Sequence, residues 1–159
     1  MKKMLARIVI LSVASMLTFG QTTKGQTAPK HPVEAFFLTG IEAFNDHDLD
    51  RFMKQFADDI QMYTPTGWLR GRAAVRERFQ STFKQFQNVK MEVSDLFVRE
   101  VAPGTVITDF KWKVYPMGGG PAFHGVGSGV YLMRDRQWVE VLEHETVTRV
   151  DEGLSSNKK

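Results

Sequence analysis

The hydrophobic period of this chain changes once, near residue 88, and that change restricts it to a small set of folds. Before it, Val33, Phe36, Phe37, Gly40, Ile41 and Phe44 fall at i, i+3, i+4, i+7, i+8 and i+11. With Pro32 suited to a first helical position, this spacing predicts an amphipathic helix over 32–46. Asp48 is placed to cap a short second helix whose Leu49, Phe52, Met53 and Phe56 share a face. A short strand over 60–64 is broken at Pro65, and a third helix is expected from about Arg72 to Phe86, burying Val75, Phe79, Phe83 and Phe86. After the change, residues 89–101, 104–115, 122–134 and 137–149 are rich in Val, Thr, Phe, Trp and Tyr. Pro103-Gly104, Pro116 to Pro121 and Asp135-Arg136 separate them, as turns separate antiparallel strands. In the first of these strands apolar parity moves from Val89, Met91 and Val93 to Leu96 and Val98, which predicts a bulge near Ser94-Asp95. The layout is α+β: three early helices packed on one face of a strongly curved, mostly antiparallel sheet.

The remaining segments read as address and tether. Lys2, Lys3 and Arg7 followed by apolar Ile8 to Phe19 are expected to form a signal peptide within residues 1–25, cleaved between 20 and 28. Residues 26–31 are a flexible tether, 32–149 one domain, and 150–159 a disordered tail. The expected location is periplasmic or secreted. No apolar run reaches the roughly 18 to 20 residues of a spanning helix, so no stable membrane insertion is expected after processing. Without Lys2, Lys3 and Arg7 the chain has 18 basic and 18 acidic residues, no cationic surplus for nucleic acid. The absence of cysteine excludes disulfides, thiolate metal sites and a cysteine nucleophile.

Several stretches carry a family resemblance: Phe44-Asn45-Asp46-His47-Asp48-Leu49-Asp50, then Phe56-Ala57-Asp58-Asp59, then Thr64-Pro65-Thr66-Gly67-Trp68-Leu69-Arg70-Gly71-Arg72-Ala73-Ala74-Val75-Arg76, and finally Trp138 with His144 and Thr146 beyond it. In this order of elements the chain resembles the nuclear transport factor two-like superfamily, in its SnoaL-like and ketosteroid isomerase-like branch, over about residues 33–149. The resemblance implies a cone, a sheet wrapped around helices with an apolar pocket between them, and a homodimer formed through the outer sheet face. Ketosteroid isomerases place an aspartate base before the proline that follows the short strand, a tyrosine on the first helix and a protonated aspartate on the third long strand. The matching positions here are Thr64, Gly40 and roughly Gly129, so that mechanism is not expected. The superfamily hosts many chemistries, and the motifs identify the fold rather than the reaction.

Candidate site residues follow from strand parity. If Trp138 faces the pocket, simple alternation puts Glu140, Leu142, His144 and Thr146 beside it. His144 held by Glu140 is then the catalytic candidate, a base near neutral pH. The alternative is a hydrogen-bonded strand histidine, with Glu140, Glu143 and Glu145 solvated or paired to Lys111, Lys113 or Arg134. Thr108, Phe110, Trp112 and Val114 are expected to face inward and Asp109 outward. Tyr63, Trp68 and Trp112, with Thr64, are the candidate ligand-lining residues. The cluster Arg70, Arg72, Arg76 and Arg78 reads as a solvated face. His31, His47, His124 and His144 lack metal-ligand spacing, and the Gly118 to Gly120 loop lacks the strand-to-helix context of a phosphate loop, so no metal or cofactor is expected. The expected function is binding of a small apolar or aromatic molecule in the cone. The alternatives are an enzyme transferring protons or hydrolysing with His144, and a dimeric interaction module.

Overall fold

In a computed structural model, which describes residues 31–153, the change of period becomes a change of layer. First come helix α1 (Pro32–Asn45), helix α2 (Leu49–Phe52) continued by a 3₁₀ turn (Met53–Gln55), strands β1 (Phe56–Thr64) and β2 (Gly67–Arg70), and helix α3 (Arg72–Gln85). Strands β3 (Val89–Ala102), β4 (Thr105–Pro116), β5 (Ala122–Arg134) and β6 (Gln137–Asp151) follow. One six-stranded sheet results, in the order β2-β1-β6-β5-β4-β3, antiparallel except where β1 lies parallel to β6. The expected α+β architecture is present. The signal-peptide and tether readings over 1–30, and the tail from 154, lie outside the described residues.

Local chemistry explains the helix ends. Pro32 begins α1, and the His31 Nδ1 accepts the Val33 N–H at 3.2 Å. Asp48 caps α2 by accepting the Arg51 N–H at 3.0 Å. Of the expected α1 face Val33, Phe37, Gly40 and Phe44 are buried, Phe36 and Ile41 are half-buried, and Ala43 joins the buried set. Phe44, Phe52, Phe56 and Phe79 meet edge to face in one cluster under α2 and α3, while Val33, Phe37, Phe110, Trp112 and Tyr131 form a second against the long strands. No helix among the described residues is long and apolar enough to cross a membrane.

Three boundaries differ from the sequence reading. Strand β1 starts at Phe56 rather than at residue 60, because Phe56 already pairs with Glu140 of β6. Residues 67–70, for which no element was expected, form a strand, with Trp68 opposite Tyr63. Strand β6 runs to Asp151, which pairs with Ala122, so the first residues of the expected tail are sheet. The bulge at Ser94-Asp95 is where parity placed it: the β3–β4 register shifts between Ser94 and Phe97, and Asp95 takes a φ of 51°.

Asn45 and His47 join α1 to β3. The Asn45 amide donates to the Met91 carbonyl at 2.9 Å and accepts the Met91 N–H at 2.7 Å. The His47 ring stacks on Phe83 at 4.8 Å, with its Nε2 2.8 Å from the Val89 carbonyl. Asn45→Ala leaves two half-buried backbone groups unpaired and is expected to lower unfolding free energy by about 2 kcal/mol, read from the urea midpoint at unchanged slope.

Candidate functional site

The inner face is built by three adjacent strands and closed by α3. Strand β4 turns Thr108, Phe110 and Trp112 inward, as predicted. Facing them, β5 presents Gly125, Gly127, Gly129 and Tyr131. The glycines let other side chains lie across the strand: a Cβ on Gly125 would stand 2.2 Å from the Trp112 ring, and one on Gly129 would stand 2.2 Å from Glu140 Oε1. Strand β6 adds Glu140, Glu143 and Glu145, all buried.

Two adjacent spaces result. An inner chamber of about 20 Å³, room for one water-sized group, is walled by aromatic rings of α1, α2, α3 and β4 and by the carboxyls of Glu140, Glu143 and Glu145. Beside it, a groove of about 500 Å³ runs between α3 and the sheet. Met91, Trp112 and Glu145 wall both. On the α3 side, Arg78, Ser81, Thr82, Gln85 and Phe86 line the groove at i, i+3, i+4, i+7 and i+8, one helical stripe.

The charges are unevenly satisfied. Arg78 Nη2 donates to Glu145 Oε2 at 2.6 Å, and its Nη1 lies 3.0 Å from Met62 Sδ. Burial, reinforced by the Glu145 charge and only partly offset by Arg78, pushes the Glu143 carboxyl up to about 8. Burial first, and Glu143 next, raise Glu140 well above the usual carboxylate range. Glu143 therefore favours its protonated form at pH 7, while Glu145 is held in an ion pair with Arg78. Thr108 Oγ1, Tyr131 OH and Glu140 Oε1 are buried with no hydrogen-bond partner among the described residues.

The predicted residues divide. Glu140 faces inward, 2% exposed, and Trp112 lines both spaces. His144 does not join them, which corrects the alternation read from Trp138. Tyr131 pairs with Glu140 while Val130 pairs with Leu142, so Val141 is an extra residue in β6. Parity inverts there, turning Glu143 and Glu145 inward and His144 outward to an exposed position. On the outer face the His144 ring meets Tyr63 edge-on at 6.1 Å. Tyr63 and Trp68 also lie outside, stacked at 4.5 Å with Arg70 over the Trp68 ring. Buried Met62 and Ile60 take the inward places on β1 instead. Thr64 holds the rim turn, donating to the Gly67 carbonyl at 2.9 Å, and does not line the groove.

Arg78 and Glu145 line the groove and were not among the site residues read from the sequence. Arg78 belongs to the polar stripe beside the Val75 and Phe79 face. For Glu145 the signal was the adjacent apolar pair Val141-Leu142, a parity break of the same kind as the one read near Ser94. The position matching the isomerase tyrosine, Gly40, is filled from elsewhere, since the Gln55 carboxamide lies where a side chain there would begin.

With this geometry established, comparison with known proteins gives a family and a set of fold relatives. A family model described as a SnoaL-like domain matches residues 33–141. No curated protein matches the chain. Among solved structures, a hexachlorocyclohexane dehydrochlorinase, LinA-type3, from Novosphingobium barchaimii LL02 is similar with a TM-score of 0.68 and 11% identity, over 78% of this chain and 88% of that one. An NTF2-like protein of unknown function from Pseudomonas putida KT2440 gives 0.66 and 15% identity, over 72% and 82%. A protein with a cystatin-like fold from Caulobacter vibrioides gives 0.65 and 19%, over 74% and 87%. At these identities the likeness is one of fold.

Proposed function

Because the chain belongs to the SnoaL-like domain family, we propose that it acts as an exported protein that binds a small, largely apolar or aromatic molecule in the groove between α3 and the sheet. The observation that carries this is the groove itself: about 500 Å³, with Phe44, Phe86, Met91, Trp112 and Val114 for an apolar body and Arg78 with Glu145 at its inner end. Export rests on the basic and apolar character of residues 1–25.

Trp112 is the test. Its buried ring is held by the indole N–H donating to the Val126 carbonyl at 3.1 Å, so it offers a fixed face to a ligand. In tryptophan fluorescence and thermal-shift titrations with 2-naphthol, Trp112→Ala is expected to weaken binding at least about tenfold, or 1.4 kcal/mol. Met117→Ala, exposed and outside the groove, should leave it unchanged. Equal affinity in both variants would overturn the reading.

A second reading, an acid–base enzyme, is favoured by one observation: buried Glu143, its carboxyl pushed up to about 8, lies beside the Glu145–Arg78 pair at the groove's inner end. In that reading Glu140, Glu143 and Glu145 take the proton-handling role, whereas His144 would need a substrate on the outer face. A homodimer through that outer face also belongs to this proposal. Phe97, Val126 and Leu142 expose apolar surface there, beside the Tyr63–Trp68 stack.

A further inference from the structure

Resting on the groove reading above, we infer that the ligand is an amphipathic amine, its ammonium group seated in the inner chamber against Glu143 and Glu145 and its apolar body lying in the groove on Trp112. The two spaces have the sizes this requires. The chamber, about 20 Å³, admits a water-sized head and little else, while the groove of about 500 Å³ admits a body, and both share Trp112 and Glu145 as walls.

The chamber's chemistry selects a cation. Its polar wall is three carboxyls and the Gln55 carboxamide, and Glu140, 2% exposed, leaves Oε1 without a hydrogen-bond partner among the described residues. The remaining wall includes Phe37, Phe56, Phe110 and Trp112, rings whose faces attract an ammonium. A simple metal centre does not fit as well, since no three acidic or histidine groups among the described residues are placed to hold one. An anion would sit against these carboxyls. Its natural partner, Arg78, is already paired with Glu145.

Entry of the cation is linked to a proton. The charged and titratable groups facing Glu143 are Glu140 and Glu145 on its own strand, Arg78 from α3 and Tyr131 from β5. The sides contributed by α1, the 3₁₀ turn, β3 and β4 are uncharged: Phe37 and Ile41, Gln55, Met91, and Phe110 with Trp112. A cation entering beside Glu143 makes its ionised form the favoured one, so the carboxyl proton leaves to solvent as the ammonium arrives and the charge of the site is unchanged. With the Glu143 carboxyl at about 8, nearly one proton is released per amine bound at pH 7.

The experiment is isothermal titration of the protein with 2-phenylethylamine, 2-phenylethanol and phenylacetate, in two buffers of different ionisation enthalpy. The amine is expected to bind at least about tenfold tighter than the alcohol. Its affinity should rise about tenfold between pH 6 and pH 7 and level off as pH passes 8, with buffer-dependent heats that report proton release. Glu143→Gln, already isosteric with the protonated form, should keep alcohol binding but abolish both proton release and the pH slope. Equal binding of amine and alcohol, tighter binding of phenylacetate, or an unchanged slope in Glu143→Gln would overturn the amine assignment and leave the groove reading standing. If none of the three binds and Trp112 fluorescence does not respond, both fail.

Discussion

In urea unfolding carried out from about pH 5 to about pH 8, the protein is expected to lose stability steadily as pH rises, and Glu143→Gln to remove the Glu143 share of that loss. In the folded chain the Glu143 carboxyl is raised from the ordinary 4.5 to about 8, chiefly because burial disfavours its charged form and secondarily because Glu145 repels it. Below about 4.5 the proton is bound in both states and the stabilisation is fully present. Between 4.5 and 8 the unfolded chain gives up the proton while the folded chain keeps it, so stability falls by about 1.4 kcal/mol per pH unit. Above 8 the contribution is gone and the dependence flattens. The span corresponds to a loss on the order of 5 kcal/mol, and Glu140, raised in the same direction, adds to it. The Asp59–Arg134 pair works oppositely and at lower pH: the Arg134 hydrogen bond lowers the Asp59 carboxyl below 3.8, so its contribution disappears only on acidification beneath this window. At pH 8, Glu143→Gln should therefore unfold at a markedly higher urea concentration than the parent chain, and at pH 5 at nearly the same one. A parent midpoint that rises between pH 5 and 8 would rule out a protonated buried carboxyl at this position.

Gly125→Val is expected to cost on the order of 3 kcal/mol or more and to abolish binding in the groove. The first atom of any side chain at this position would stand 2.2 Å from the Trp112 ring and 2.3 Å from the Thr146 carbonyl oxygen. Neither neighbour gives way cheaply. Trp112 is a rigid bicycle pinned through its indole N–H to Val126, and Thr146 is backbone in the paired strand β6. Either the indole is driven from the groove wall or β5 and β6 separate, and both outcomes remove the ligand's apolar platform. Gly118→Ala, where an added Cβ meets nothing within 4 Å, is the control and should change stability by less than about 0.5 kcal/mol. Comparable stability of the two variants by thermal melting would show that Trp112 does not press on β5 in this way.

Sequence legibility stopped at a definite place. Helix α1 was readable because its apolar residues repeat at the period of the element, and so was the inward set of β4, where Thr108, Phe110 and Trp112 alternate without interruption. The β3 bulge was readable because the apolar pattern itself slips, from Val93 to Leu96. On β6 the slip at Val141-Leu142 is flanked by glutamates, which read equally well as a solvated edge. Simple alternation therefore carried His144 inward and Glu143 outward, the reverse of their positions. Tyr63 and Trp68 went astray for a related reason, since large aromatics are expected inside, yet Ile60 and Met62 hold the inward parity of β1 and leave Tyr63 to stack outside on its pair partner Trp68.

By itself, the order of periods along the chain determined the α+β layout and most of the buried faces of its first helix and its fourth strand, because alternation and helical repeat are properties of a few neighbouring residues; the cone came from the family resemblance. Tertiary structure decided the chemistry of the interior. Whether one extra residue in β6 turns three carboxyls inward depends on the register that β5 and β1 impose. The guanidinium that balances Glu145 arrives from Arg78, 67 residues earlier in the chain, a distance over which no local pattern in the sequence extends.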